Sequence, residues 1–357
     1  MNVKLHITKR NTVLYALFLG LFSSLFFSCK GGSNTFNSAS GSPGELLLVM
    51  DEDLLSSISG EIVKEMLQEE VTALPQIEPW MKVQTVATHN FEDFLRNTRN
   101  IVIVQNDGAI YSHNAVKYSY DEWAKGQLVI VIQVPSKDSL KTLAEHKGGM
   151  VRNLLLRHEL YRYAELWKKS FSTKADSYSK ELFGYHINLP EDIQSYKKGE
   201  NFLWLSNNAY SKRTDVVIYK HPYNGGEDFS KERLLQIRDS VLGKNIPGAT
   251  PDSYMTTTEG STKHRLIKMP NGTIIRELKG LWETSGSSAM AGPFVAHVLT
   301  VPEEKAMYYI EGFVYHPNEN KRELIRRIQA TLFSFRPVSQ EAFDIEAIKG
   351  IWWSEAE

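Results

Sequence analysis

A single cysteine in 357 residues, Cys29, leaves this chain no internal disulfide, so whatever folds here is held by packing, hydrogen bonds and charge. Its position constrains the chain further. Lys4, Lys9 and Arg10 form a positive head, and an apolar run from Thr12 to Phe22 resumes at Leu25-Phe26-Phe27 and closes on Ser28-Cys29. A charged head, a short apolar body and a small residue before the cut predict a secretory signal peptide over residues 1–28. Ser23-Ser24 interrupt the run, which falls short of the ~20 apolar residues of a membrane span.

A leader that ends on the chain's one cysteine resembles those of bacterial lipoproteins, with Phe26 at the place where leucine is usual. The resemblance implies that the Cys29 thiol carries lipid, palmitate being the expected acid, and that its amine becomes the new N-terminus. One acyl chain binds membranes marginally and several anchor stably; the resemblance implies more than one. Lys30-Gly31-Gly32-Ser33 contains no acidic residue of the kind that marks surface export. The expected address is therefore the cell membrane or the outer membrane, facing the periplasm.

Residues 29–44 are small and polar and read as a flexible tether. The leader holds three of the 41 basic residues and none of the 42 acidic ones, so the remainder carries a net charge of −4. Those charges are interspersed, which argues against a nucleic-acid partner. A hydrophobic content of 42% with 11% aromatic residues belongs to a globular chain. After the leader the length suits two domains.

The first predicted domain spans residues 45–172. Apolar runs at 46–50, 101–104 and 127–134 predict buried strands, and 82–88 alternates as another. Ile58, Ile62, Val63, Met66, Leu67 and Val71 have helical spacing. A helix after Pro135 is expected to break at Gly148-Gly149, and a long one follows from Met150 to Phe171. A charged link, Ser172–Lys180, precedes the second domain at 178–337. Here Arg265–Met269 and Thr273–Leu278 flank Asn271-Gly272, a hairpin turn signal, and 294–301 pairs with 307–315. Helices are expected at Lys231–Leu242 and Asn318–Phe333, and residues 338–357 read as a loosely held tail. The fold class is α+β in two domains, each a mostly antiparallel or mixed sheet with helices packed on it.

Chemistry-bearing motifs are few. Leu46–Met50 runs into Asp51-Glu52-Asp53, a strand ending in D-x-D that resembles the opening of haloacid-dehalogenase-type phosphotransferases. That chemistry needs Mg²⁺ ligands on later strand ends, which Gln105-Asn106-Asp107 does not supply. The competing reading gives Asp51 and Asp53 to the dipole of the helix that follows. His158-Glu159-Leu160-Tyr161-Arg162 falls short of H-E-x-x-H, since Arg162 stands where zinc needs a second lone pair. His158 and Arg162 are expected to flank Glu159 on a solvated face. No catalytic residue, metal or cofactor is assigned. Trp282, Met290 and Phe294 form the candidate binding surface, in a stretch read as a glycine-joined loop: either a surface for a ligand or partner, or a lid folded over the core.

The lone cysteine, the polar tether, the strand ending in acids and the order Gly280-Leu281-Trp282-Glu283 … Gly292-Pro293-Phe294 resemble family 4837 of the domains of unknown function, which are Gram-negative lipoproteins. The resemblance implies coverage of nearly all of residues 29–337 and supplies no activity. The second half is also similar in strand–helix order to the small sandwich of the PsbP and Mog1 kind. The expected function is that of an anchored, non-enzymatic binding or envelope-assembly module for an envelope protein or a small ligand. The alternative is a metal-dependent hydrolase using Asp51 and Asp53.

Overall fold

The apolar run after Gly44 becomes β1 (Glu45–Met50), buried on both faces as a central parallel strand must be. The computed structural model describes residues 37–226, 229–286 and 290–356. Beside β1 lie β2 (Lys82–Ala87) and β3 (Asn100–Asn106), both parallel to it. Then come β4 (Ala115–Tyr120) and β5 (Leu128–Val134), in the order β2-β1-β3-β5-β4, with β4 antiparallel at the edge. Helices α1 (Glu52–Leu55), α2 (Ile58–Gln68) and α3 (Ser139–Lys169) follow. Val63, Met66 and Leu67 of α2 pack with Val151, Leu154 and Leu155 of α3 over Leu46, Leu48, Val102, Ile130 and Ile132.

Gly148-Gly149 do not break α3. Its 31 residues run straight through them for about 46 Å. Gly148 is retained by contact, because a Cβ there would meet Met66 of α2 at 2.9 Å. The charged link also folds: Ser172 accepts from the Ala175 amide and starts α4 (Thr173–Phe183), which Gly184 ends at φ 75°.

The second sheet has nine strands, all antiparallel. It is built from β7 (Ser195–Gly199), β8 (Phe202–Ser206), β9 (Arg213–Pro222), β10 (Met255–Thr257), β11 (Lys263–Lys268), β12 (Ile274–Thr284), β13 (Ala291–Val301), β14 (Ala306–Tyr315) and β16 (Trp352–Glu355). Their order is β16-β11-β12-β13-β14-β9-β8-β7, with β10 also on β12. Two further short strands, β6 (Tyr185–His186) and β15 (Arg336–Pro337), pair with each other. One face packs under α5 (Lys231–Asn245) and the other under α4 and α6 (Arg322–Leu332). Both halves are thus α+β, one mixed and one antiparallel, and residues from Ser38 onward form one compact unit.

Two further expectations are corrected. Of the expected tail 338–357, residues 338–356 are not loosely held: β16 pairs with β11, and Phe343, Ile345, Ile348, Ile351 and Trp353 are buried against Leu156, Leu160, Ile267 and Ile275. Without that segment the edge of the large sheet and the second half of α3 would present apolar surface to water. The tether is also shorter than residues 29–44. Ala39 and Ser40 donate backbone hydrogen bonds to Lys125 O (2.9 Å) and Asn97 O (2.7 Å), and Gly44 N donates to Glu159 Oε2 (3.1 Å). Cys29 and the leader lie outside the described residues. Among the described residues no helix is long and apolar enough to cross a membrane.

Candidate functional site

The strand register of the large sheet builds a polar wall inside the molecule. Side chains two apart on a strand share a face. On the face toward α6, Arg265 of β11 stands opposite Glu355 of β16 and Glu277 of β12, and Glu277 stands opposite His297 of β13. Arg265 Nη2 reaches Glu277 Oε1 at 2.6 Å, and His297 Nε2 lies 3.5 Å from Glu277 Oε2. Burial raises the Glu277 pKa, but Lys279, Arg265 and His297 outweigh it and hold the carboxyl well below its usual range. His297, fully buried and edge-on to Phe333 at 4.6 Å, is pushed down by burial and is a neutral imidazole at neutral pH.

The next row along the same face is Lys263 opposite Lys279. Gln329 of α6 fixes this corner, donating to Glu277 Oε2 at 2.5 Å and accepting from Lys279 Nζ at 3.0 Å. Burial lowers the Lys279 pKa to about 8. Glu277 opposes that, while Arg265 and Arg326 add to it.

Residues 69–80, which connect α2 to β2, form the facing wall and are tied to α6. The Glu78 carboxylate accepts from the Lys321 N–H at 2.6 Å and the Arg322 N–H at 3.1 Å, so an acid from the first half holds the N-terminus of a helix of the second. Arg322 donates to Pro79 O, and Arg326 Nη2 donates to Trp80 O at 2.8 Å. Arg152 of α3 pairs with Glu69 at 2.7 Å. Between these walls is a cleft of about 460 Å³. Trp80, Leu74, Leu156 and Ile325 give it apolar sides, and Arg152, Lys263, Arg265, Lys279, Arg322 and Arg326 bring six cations to it against Glu69, Glu70 and Glu355. Size and lining suit a small ligand.

The residues singled out from sequence lie elsewhere or on its margin. Trp282 and Phe294 are not on a loop. They sit in β12 and β13, 2% and 1% exposed, because the glycine-rich stretch continues as paired strand with Gly280 opposite Phe294. Trp282 donates to Val314 O at 3.3 Å, and the Phe294 ring lies 3.9 Å from Arg238 Cζ. Trp282 and the half-buried Met290 line a smaller pocket of about 210 Å³ with Trp204, Phe313 and Tyr315. Phe294 instead reaches the margin of the larger cleft.

Asp51 and Asp53 are exposed at the end of β1, where Asp51 precedes α1 without a side-chain capping bond. Among the described residues no group of three or more His, Cys, Asp or Glu side chains is placed to hold a metal ion. His158 and Glu159 are not on a solvated face: both are buried, at 1% and 0% exposure. Glu159 is clamped by Arg99 (2.9 and 3.1 Å), Asn100 (2.8 Å) and the Gly44 amide, because α3 turns this face to the start of β3.

Sequence reasoning missed the cleft. Its signal was charge at alternating positions, Lys263 and Arg265 in one strand and Glu277 and Lys279 in the next.

No curated protein matches the chain. Among solved structures, a mutant of protein Mog1 is similar at 9% identity over 44% of this chain and 94% of that one, with a TM-score of 0.30. The Saccharomyces cerevisiae Ran-binding protein Mog1p is similar at 9% identity over 45% and 93%, with a TM-score of 0.29. The match to the family described as a domain of unknown function (DUF4837) covers residues 172–334, so it spans the second half and not nearly all of 29–337. Residues 39–168 match a different model, likewise described as a domain of unknown function (DUF8532). The DUF8532 match thus falls on the stretch that carries the five-stranded sheet, and the DUF4837 match on the stretch that carries most of the nine-stranded one.

Proposed function

We propose that this chain is a non-enzymatic binding module of the cell envelope, anchored through acylated Cys29 and facing the periplasm, whose ligand occupies the cleft between the two halves. The observation that carries the reading is the cleft itself: about 460 Å³, with walls from α3, the 69–80 connection, α6 and the edge of the large sheet. The leader, the lone cysteine at its end and the polar residues after it support the anchor.

Gly149 supplies a test. It faces the cleft from α3, and a Cβ there meets nothing within 4 Å. Gly149→Trp puts a large side chain at the cleft from a position where its Cβ meets no neighbour. Full-length wild type and Gly149→Trp are purified from membranes and denatured, and the released small molecules are compared by mass spectrometry. A molecule present in wild type and missing from the variant supports the reading; the same content in both overturns it. For the anchor, wild type and Cys29→Ser are fractionated and their lipid masses measured. Release of the variant into the periplasm is expected, and identical fractionation overturns the address.

A further inference from the structure

Most charges around the cleft are answered within the protein. Arg265 shares Glu277 and stands opposite Glu355; Arg322 and Arg326 share Glu323 and two backbone carbonyls; Arg152 is held by Glu69. Lys263 and Lys279 differ. They are direct cross-strand partners, and like charges in that position repel. The next strand places Val295 opposite Lys279, and among the described residues no carboxylate stands opposite either lysine. The nearest, Glu277, is 3.9 Å from Lys279 Nζ, and its oxygens are already taken by Arg265 and Gln329. Two lysines, one on each strand of the hairpin, thus line one wall of a cleft whose other sides, at Trp80, Leu156 and Ile325, are apolar.

We infer that the cleft takes a small organic acid, its carboxylate, phosphate or sulfate head bridging Lys263 and Lys279 and its apolar body lying along Trp80, Leu156 and Ile325. The inference rests on the binding reading above and names its ligand class. An anion placed between the two lysines relieves the repulsion that their register imposes and favours the charged form of Lys279.

That coupling has a definite sign. The charged groups packed around Lys279 are Glu277 on its own strand, Lys263 and Arg265 on β11, and Arg326 on α6; His297 on β13 is neutral. With the free lysine titrating near 8, it is charged at pH 7 and largely neutral at pH 9. Affinity for a permanent anion is full at pH 7 and falls by about tenfold by pH 9.

The test is calorimetric titration of the full chain in detergent with benzenesulfonate, ionised at every pH used, against its neutral analogue methyl phenyl sulfone. Expected are binding of the sulfonate, at least about tenfold weaker binding of the sulfone, and about tenfold loss of sulfonate affinity between pH 7 and 9. Lys279→Met weakens sulfonate binding by about tenfold at pH 7. Lys279→Arg keeps the pH 7 affinity and loses the pH dependence. Equal binding of sulfone and sulfonate, no binding of the sulfonate, wild-type affinity in Lys279→Met, or a flat wild-type profile each overturns the inference. A neutral or cationic molecule recovered from the native protein overturns this inference alone and leaves the binding reading standing. Equal content in wild type and Gly149→Trp removes that reading as well.

Discussion

Arg238 of α5 and Glu311 of β14 meet with both side chains fully buried, Nη2 2.7 Å and Nε 2.8 Å from the two carboxylate oxygens. Phe294 closes over the guanidinium, and Thr257 Oγ1 accepts from Nη1 at 2.7 Å. A buried pair of this kind is costly to halve: without Arg238 the Glu311 carboxylate keeps neither water nor its ion-pair partner, and without Glu311 the guanidinium keeps only Asp239 (3.0 Å) as an ion-pair partner, beside Thr257. Arg238→Met or Glu311→Leu alone should cost about 3–5 kcal/mol in urea unfolding, and the double variant much less than the sum. Additive losses would mean that the two charges do not depend on each other.

Glu159 does the same work for the start of the fold. Glu159→Gln leaves Arg99 without its charge partner and weakens the hold on the Gly44 amide. A stability loss of about 3 kcal/mol is expected. Hydrogen exchange at Gly44 should quicken selectively, whereas an unchanged rate there would show that residues 38–44 are held by their backbone bonds alone.

The pH dependence of stability should carry the mark of His158. Burial, then Arg162 and Arg99, push its pKa down to about 3, and Nε2 lies 3.3 Å from Gly126 O. In the unfolded chain the same histidine takes a proton near 6.5. Between about 6.5 and 3 the unfolded state therefore binds more protons, and stability falls with falling pH by up to about 1.4 kcal/mol per unit from this group. His158→Phe should flatten that part of the curve; an unaltered slope would assign it to other groups.

The last strand should be needed for stability. Trp353 is buried against the Arg265 guanidinium, 5.5 Å from its ring, and Trp353→Ala should cost about 3 kcal/mol or more. A loss within about 0.5 kcal/mol, the range of ordinary surface changes, would return residues 338–357 to the status of a tail.

Where apolar residues were continuous or strictly periodic, the sequence was a good guide. Leu46–Met50, Ile101–Val104 and Leu128–Val134 are strands, and Leu324 to Leu332 lies on the closing helix. It misled where tertiary contact overrode a local signal. Gly148-Gly149 read as a break, yet packing of α2 on α3 keeps the helix whole, and Gly149 is a position where the larger cost of glycine in a helix is simply borne. The final strand was missed because Phe343, Ile345, Ile348, Ile351 and Trp353 follow no single period; they fill a surface that only the folded chain presents. Tryptophan and phenylalanine at 282 and 294 drew attention as bulk in a loop, although their glycine neighbours accommodate close strand packing. The cleft was illegible for a different reason. Lys263 and Lys279 become neighbours only through the register of a hairpin, and their facing wall comes from residues far earlier in the chain.

Helix α3 enters two cores: Leu143, Val151 and Leu155 belong to the five-stranded sheet, and Leu156, Leu160 and Ala164 to the cluster over the edge of the nine-stranded one. An unbroken rod shared in this way couples the melting of the two halves, since unwinding it strips apolar cover from both. Denaturation followed by hydrogen exchange at Val216–Tyr219, reporting the second half, and at Leu46–Met50, reporting the first, should then trace one coincident transition.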